Sequence, residues 1–89
     1  MDALNLQVEM ICVCSTDGQL RPLRFRFEDS EHRLQTVLIT EVLCDKEICY
    51  VGIEAFQFVC RGVMDGVEKM FELRYTVRTH KWILFREIY

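Results

Sequence analysis

The chain has one Pro and four Gly in 89 residues. So sparse a supply leaves no linker and no low-complexity segment, and nothing repeats beyond a hairpin rhythm. One domain is expected, spanning residues 1–89, because the length does not support two cores. No apolar run approaches the roughly 20 residues that a membrane helix needs. Residues 1–10 carry Asp2 and Glu9 and no basic region. An export signal is therefore not expected, and the expected location is cytoplasmic. Excess positive charge is missing as well. The formal net charge is -3, which supplies no general attraction to nucleic acid or to an anionic membrane. No segment reads as a secure helix.

Catalytic constellations are equally scarce. The two histidines, His32 and His80, fall in polar connections, where a solvated turn residue is the ordinary reading. No Ser or Cys stands in a nucleophile elbow, and the carboxylates are too scattered to argue an acid pair. A Gly-rich phosphate loop is absent. These absences predict a protein that is not an enzyme, with no catalytic residue and no cofactor. Cysteine is the exception to scarcity. Cys12, Cys14, Cys44, Cys49 and Cys60 are an odd number, which reads as reduced thiols. A zinc site from Cys12, Cys14, Cys44 and Cys49 is the alternative. Structural zinc favours paired knuckles spaced C-x2-4-C, whereas one pair here is C-x-C within a strand and the other C-x4-C. Core and surface thiols are expected, and no metal.

What the sequence has is alternation. From Val67 to Arg78, Lys69, Phe71, Leu73, Tyr75 and Val77 share one face, and Glu68, Met70, Glu72, Arg74, Thr76 and Arg78 the other. Period two is the signature of a strand. Arg78-Thr79-His80-Lys81 interrupts it before Trp82, Leu84, Phe85 and Ile88. Residues 5–15 place Leu6, Val8, Met10, Cys12 and Cys14 on one side. Thr16-Asp17-Gly18-Gln19 is a turn signal. In residues 20–27, Leu23, Phe25 and Phe27 alternate with Pro22, Arg24 and Arg26. Residues 33–43 form the next strand, with β-branched residues that favour it. Asp45-Lys46-Glu47 reads as a turn, followed by a short strand at residues 48–51. Gly52 breaks it, residues 53–61 resume, and Asp65-Gly66 is a second tight turn. The prediction is an all-β fold of about six antiparallel strands in a small, SH3-like, partly open barrel, since closure removes exposed edges. A strongly bent meander sheet pairing with a second copy is the alternative.

Several of these residues form an ordered series: Pro22-Leu23-Arg24-Phe25-Arg26-Phe27, Glu41-Val42-Leu43, Phe58-Val59-Cys60, Asp65-Gly66, Glu72-Leu73-Arg74-Tyr75 and Lys81-Trp82-Ile83-Leu84. The series is similar to small bacterial domains with the pattern P-x-R-F, a central strand, an aromatic strand, D-G, E-L-x-Y and a closing W-x-L. It looks most like short stand-alone proteins of anaerobic Gram-positive bacteria. The resemblance runs from about Gly18 to Ile88 and implies a folded hairpin barrel with no assigned activity. Some relatives of this pattern sit beside genes for DNA-damage polymerases, which implies a nucleic-acid connection. Where those relatives carry Trp after R-F-x, this chain has Phe27.

Two surfaces are candidates. Arg24, Arg26, Arg74, Arg78 and Lys81 would form a basic stripe if the second strand neighboured the terminal hairpin. Tyr75, Trp82 or Tyr89 could then stack a base. Glu28, Glu68, Glu72 and Glu87 lie among the same strands and would neutralise it pairwise. The second surface is apolar. Val37, Ile39, Val59, Ile83 and Phe85, with Ile11, Val13 and Val63, fall on the face opposite the expected core, and a contiguous apolar patch marks a partner site. The leading expectation is a non-catalytic interaction module that self-associates as a homodimer or docks another protein. The alternative is a single-stranded nucleic-acid binding module.

Overall fold

The structure, a computed structural model, describes residues 4–88 apart from the side chain of Tyr50. Residues 1–3 and Tyr89, one of the aromatics considered for base stacking, lie outside the described residues. Six strands follow one another: β1 (Leu6–Cys14), β2 (Leu20–Glu28), β3 (Leu34–Tyr50), β4 (Ile53–Met64), β5 (Val67–Thr76) and β6 (Lys81–Glu87). Each pairs antiparallel with the next, and β6 returns to β1, closing an all-β barrel. A barrel this narrow is filled by its own side chains. Phe25, Val37, Phe58, Cys60, Phe71, Leu73, Trp82 and Leu84 form the buried core. Phe25 meets Phe71 edge-on at 5.5 Å, and Trp82 lies between Phe58 at 5.3 Å and Tyr75 at 5.1 Å.

Two hairpins turn on two residues. Asp65-Gly66 has φ of 52° and 76°, and Val51-Gly52 has 51° and 78°. Both central residues are left-handed, as the tightest hairpin turn requires. The sequence signals the first turn openly. It hides the second, because a β-branched residue rarely takes a positive φ.

That second turn corrects one expectation. Asp45-Lys46-Glu47 is not a turn: the three residues pair with Phe58, Gln57 and Phe56 inside a 17-residue β3. Charged residues fit there because this part of β3 has a partner on one side only.

Bulges correct the faces. Val37 and Ile39, expected on the outer face, point into the barrel: Val37 pairs with buried Phe25 and Ile39 packs against the core. Leu34 and Leu38 face out instead, both exposed. β3 pairs with β4 irregularly, leaving Thr40 and Leu43 unmatched. Each extra residue shifts the inward phase by one, so core positions run Val37, Ile39, Val42. In β2, Leu23 is the unmatched residue, because Ile11 pairs with Arg24 and Cys12 with Pro22. Leu20 and Pro22 therefore turn inward, and Pro22 is fully buried.

Gly62 sits where β3 leaves β4 no room for a side chain. A Cβ there would lie 2.8 Å from Val37 Cγ1 and 3.0 Å from the Leu38 carbonyl oxygen. Glycine in a strand commonly marks such a crossing.

Candidate docking surfaces

The barrel order separates the arginines that the basic stripe would unite. β2 neighbours β1 and β3, and β5 neighbours β4 and β6. Arg24 and Arg26 thus stand on the wall opposite Arg74, while Arg78 lies in the turn before β6, which Lys81 opens. The aromatic partners are turned away too. Trp82 is buried, and the Tyr75 hydroxyl lies 2.8 Å from His80 Nδ1.

On the wall formed by β4, β5 and β6 the charges are tied down. Glu72 points outward yet is only 1% exposed. Arg86 Nε donates to its Oε1 at 2.7 Å, and Gln57 Nε2 and Arg74 Nε donate to its Oε2 at 2.7 and 3.0 Å. Burial pushes the Glu72 carboxyl up. The hydrogen bonds from Arg86, Gln57 and Arg74, with the Arg74 charge, outweigh it, and the group sits below its ordinary value. The Arg74 guanidinium lies 3.5 Å over the Phe85 ring, a cation–π contact. Phe85 holds that place because β6 carries a bulge there: Leu84 pairs with Leu73 and Arg86 with Glu72. Val59, Ile83 and Phe85, expected to form an open apolar patch, are half-buried around this cluster. Val59 pairs with Glu72, and Ile83 with Arg74.

The wall formed by β1, β2 and β3 is open. One ladder row runs Ile11, Arg24, Leu38, Val63 across four strands. Ile11 is 49% exposed and Leu38 55%. Val13 pairs with Arg21 one step up, and Glu9 with Arg26 one step down. Arg26 Nη2 reaches Glu9 Oε1 at 2.5 Å. Among the described residues, Arg21 and Arg24 have no carboxylate within ion-pair distance.

Neither histidine enters a chemical constellation: His32 Nδ1 lies 2.7 Å from Glu28, and His80 occupies a positive-φ turn position. Cys14, Cys44 and Cys49 are exposed, Cys12 is half-buried and Cys60 is buried, all as free thiols. Burial pushes the Cys60 thiol up to about 12. Among the described residues, no three of His, Cys, Asp and Glu converge on a metal-sized site. No helix among them is long and apolar enough to cross a membrane.

Geometry thus defines a small closed β-barrel with one sealed wall and one open wall. Comparison with protein-family models, with curated proteins and with solved structures returns no match.

Proposed function

We propose that the protein is a non-catalytic interaction module that self-associates through the outer wall of β1, β2 and β3. The observation that carries this reading is the row in which Ile11 and Leu38, each about half exposed, flank an Arg24 with no carboxylate partner among the described residues. Exposed aliphatic side chains around an arginine are the composition from which interface centres are built. Twofold pairing is the commonest oligomeric form and asks a surface to complement itself. This wall supplies both signs: Glu9, its side chain 70% exposed beside Arg26, is the carboxylate that a twofold copy offers to Arg24. Three exposed thiols, Cys14, Cys44 and Cys49, support a reducing, cytoplasmic setting.

Light scattering at increasing concentration tests the reading. The expected species is a dimer, and the double substitution Ile11→Glu and Leu38→Glu is expected to leave a folded monomer. A wild-type protein that stays monomeric at high micromolar concentration overturns it. A monomer that binds single-stranded oligonucleotide with strong salt dependence favours the nucleic-acid module instead, with contacts confined to Arg21, Arg24 and Arg26 on β2.

A further inference from the structure

The barrel is not sealed along its whole height. The β2–β3 ladder ends at Arg24 and Leu38. Beyond that point β2 pairs only with β1, and β3 pairs only with β4 as far as Tyr50. The unmatched Leu23, Thr40 and Leu43 bend the two strands apart, and Pro22 has no N–H with which to extend the ladder. A groove of ≈ 350 Å³ opens in the gap, lined among others by Asp17, Leu20, Asp45, Glu47, Phe56 and Phe58.

The side chains in that groove are sorted by register. Directly paired residues share a face of the sheet. Asp45 pairs with Phe58 and Glu47 with Phe56, so both carboxylates stand on the concave, aromatic side. Glu54, paired with Cys49, shares it. Lys46 pairs with Gln57, which aims its side chain toward the convex side, yet it also borders the groove, so one cation stands beside the three carboxylates of Asp17, Asp45 and Glu47 and the lining stays net acidic. The concave floor is therefore aromatic and aliphatic, its near rim is acidic, and Asp17 adds a carboxylate from the β1–β2 turn. Beside it runs the edge of β3, residues 39–50, with no strand partner on the β2 side among the described residues.

We propose that this groove takes an extended cationic segment of a partner protein, added as a strand along the edge of β3. The backbone of β3 supplies hydrogen bonds that set the direction and register of the guest, as in other strand-addition complexes. Alternate guest side chains then point into the groove. Aliphatic ones meet Phe56, Phe58 and Leu20, and Lys or Arg side chains meet Asp45, Glu47 and Asp17. The same carboxylates select against other occupants. A second copy of β3 would bring Asp45 and Glu47 against Asp45 and Glu47, and inward-pointing charge of this kind discourages edge-to-edge pairing. Nucleic acid is repelled for the same reason. The occupant chosen by charge is a basic peptide.

The test titrates isotope-labelled protein with a short blocked peptide, Val-Thr-Lys-Thr-Val-Thr-Lys, whose one face alternates Val with Lys, and in parallel with its counterpart carrying Glu for Lys. The Lys peptide is expected to shift the amide resonances of Leu20 and of residues 44–49, and to slow hydrogen exchange along that edge. Asp45→Lys with Glu47→Lys, both at exposed positions, is expected to weaken binding by about tenfold with the fold unchanged. Shifts confined to other strands, equal binding of the Glu peptide, or no shift at millimolar peptide each overturn the proposal. The Ile11 and Leu38 double variant leaves the groove intact, so loss of the dimer and loss of peptide binding are read independently.

Discussion

On the wall of β4, β5 and β6, Arg74 and Arg86 converge on Glu72, and Val59, Ile83 and Phe85 close around them. On the wall of β1, β2 and β3, Arg21 and Arg24 stand in the open between Ile11, Val13 and Leu38. The residue types are nearly the same, and the difference is ladder position. Arg86 lies directly across from Glu72, and Arg74 is two residues along the same face, so both reach one carboxylate. Arg26 lies directly across from Glu9 and is paired, whereas Arg24 lies between Ile11 and Leu38 and finds no acid. One rung separates an ion-paired arginine from one available to a partner. A sheet's outer face is thus read by its cross-strand neighbours rather than by its composition.

The strongest way to break this contrast is to remove the acid. Glu72→Ala leaves two half-buried guanidiniums without their common partner, and is expected to lower stability by about 3 kcal/mol. The same change removes the side chain that fixes Arg74 over Phe85, so the near-ultraviolet signal of the aromatics should change as well. Urea denaturation followed by circular dichroism reads the first effect. A loss below about 0.5 kcal/mol would mean that the cluster is a surface ion pair like any other.

Next in size is the crossing where the two walls meet. Gly62→Ala places a methyl 2.8 Å from Val37 Cγ1 and 3.0 Å from a backbone oxygen. The backbone cannot give way cheaply, and a loss of about 2 kcal/mol is expected from overpacking. A neutral result would show that β3 slides over β4 more freely than its bulges allow.

These two positions also show what the sequence could and could not disclose. Strand periodicity was plain in β5, where Phe71, Leu73 and Tyr75 of the expected face lie in or against the core, while Lys69 of that face pairs with Glu87 and Val77 falls beyond the strand. β1 was plain too, with Leu6, Val8, Met10 and Cys12 against the core. The six-stranded barrel follows from such segments. Reading failed where the chain carries an extra residue. Val37 and Leu38 are equally apolar, so composition does not say which faces in, and a bulge leaves no residue type behind to mark it. The acidic run at residues 45–47 looked like a turn because charge is common in turns. Here it edges a groove, a role that depends on β2 ending its ladder at Arg24. Gln57 as a third ligand of Glu72 was not legible at all, because its place depends on register across β4 and β5. The separation of Arg24 from Arg74 needed the closure order, which alternation does not contain.

Acid sharpens the same comparison. Glu72 titrates below the ordinary carboxylate value in the folded protein, so the unfolded chain takes up its proton first as the pH falls. The stability this contributes is complete above the ordinary Glu range, near about 4.3. It is lost as the pH drops through the depressed folded value. Glu72→Gln is therefore expected to flatten the acid limb of a stability-versus-pH curve. The limb does not vanish, because hydrogen bonds from Ser15 and the Gln19 amide lower Asp17. Those from Gln35 and the Arg33 amide lower Asp29 in the same direction. An unaltered acid limb in the Gln variant would remove Glu72 from the account.

The smallest effect is expected on the open wall, and it is the more telling for being small. Arg24→Ala deletes an exposed side chain with no carboxylate partner among the described residues, so stability of the monomer should stay within about 0.5 kcal/mol of the parent. Self-association should weaken all the same, because truncating an arginine at the centre of an interface commonly costs more than tenfold in affinity. The two readouts have to part company for the wall to be a docking surface. Denaturation at low concentration reports the monomer, and sedimentation at high concentration reports the dimer. If Arg24→Ala destabilises the monomer as Glu72→Ala does, then Arg24 is tied into the barrel, and the two walls differ only in how much water reaches them. If it alters neither measurement, the row of Ile11, Arg24 and Leu38 is bare surface, and self-association has to be sought on another face.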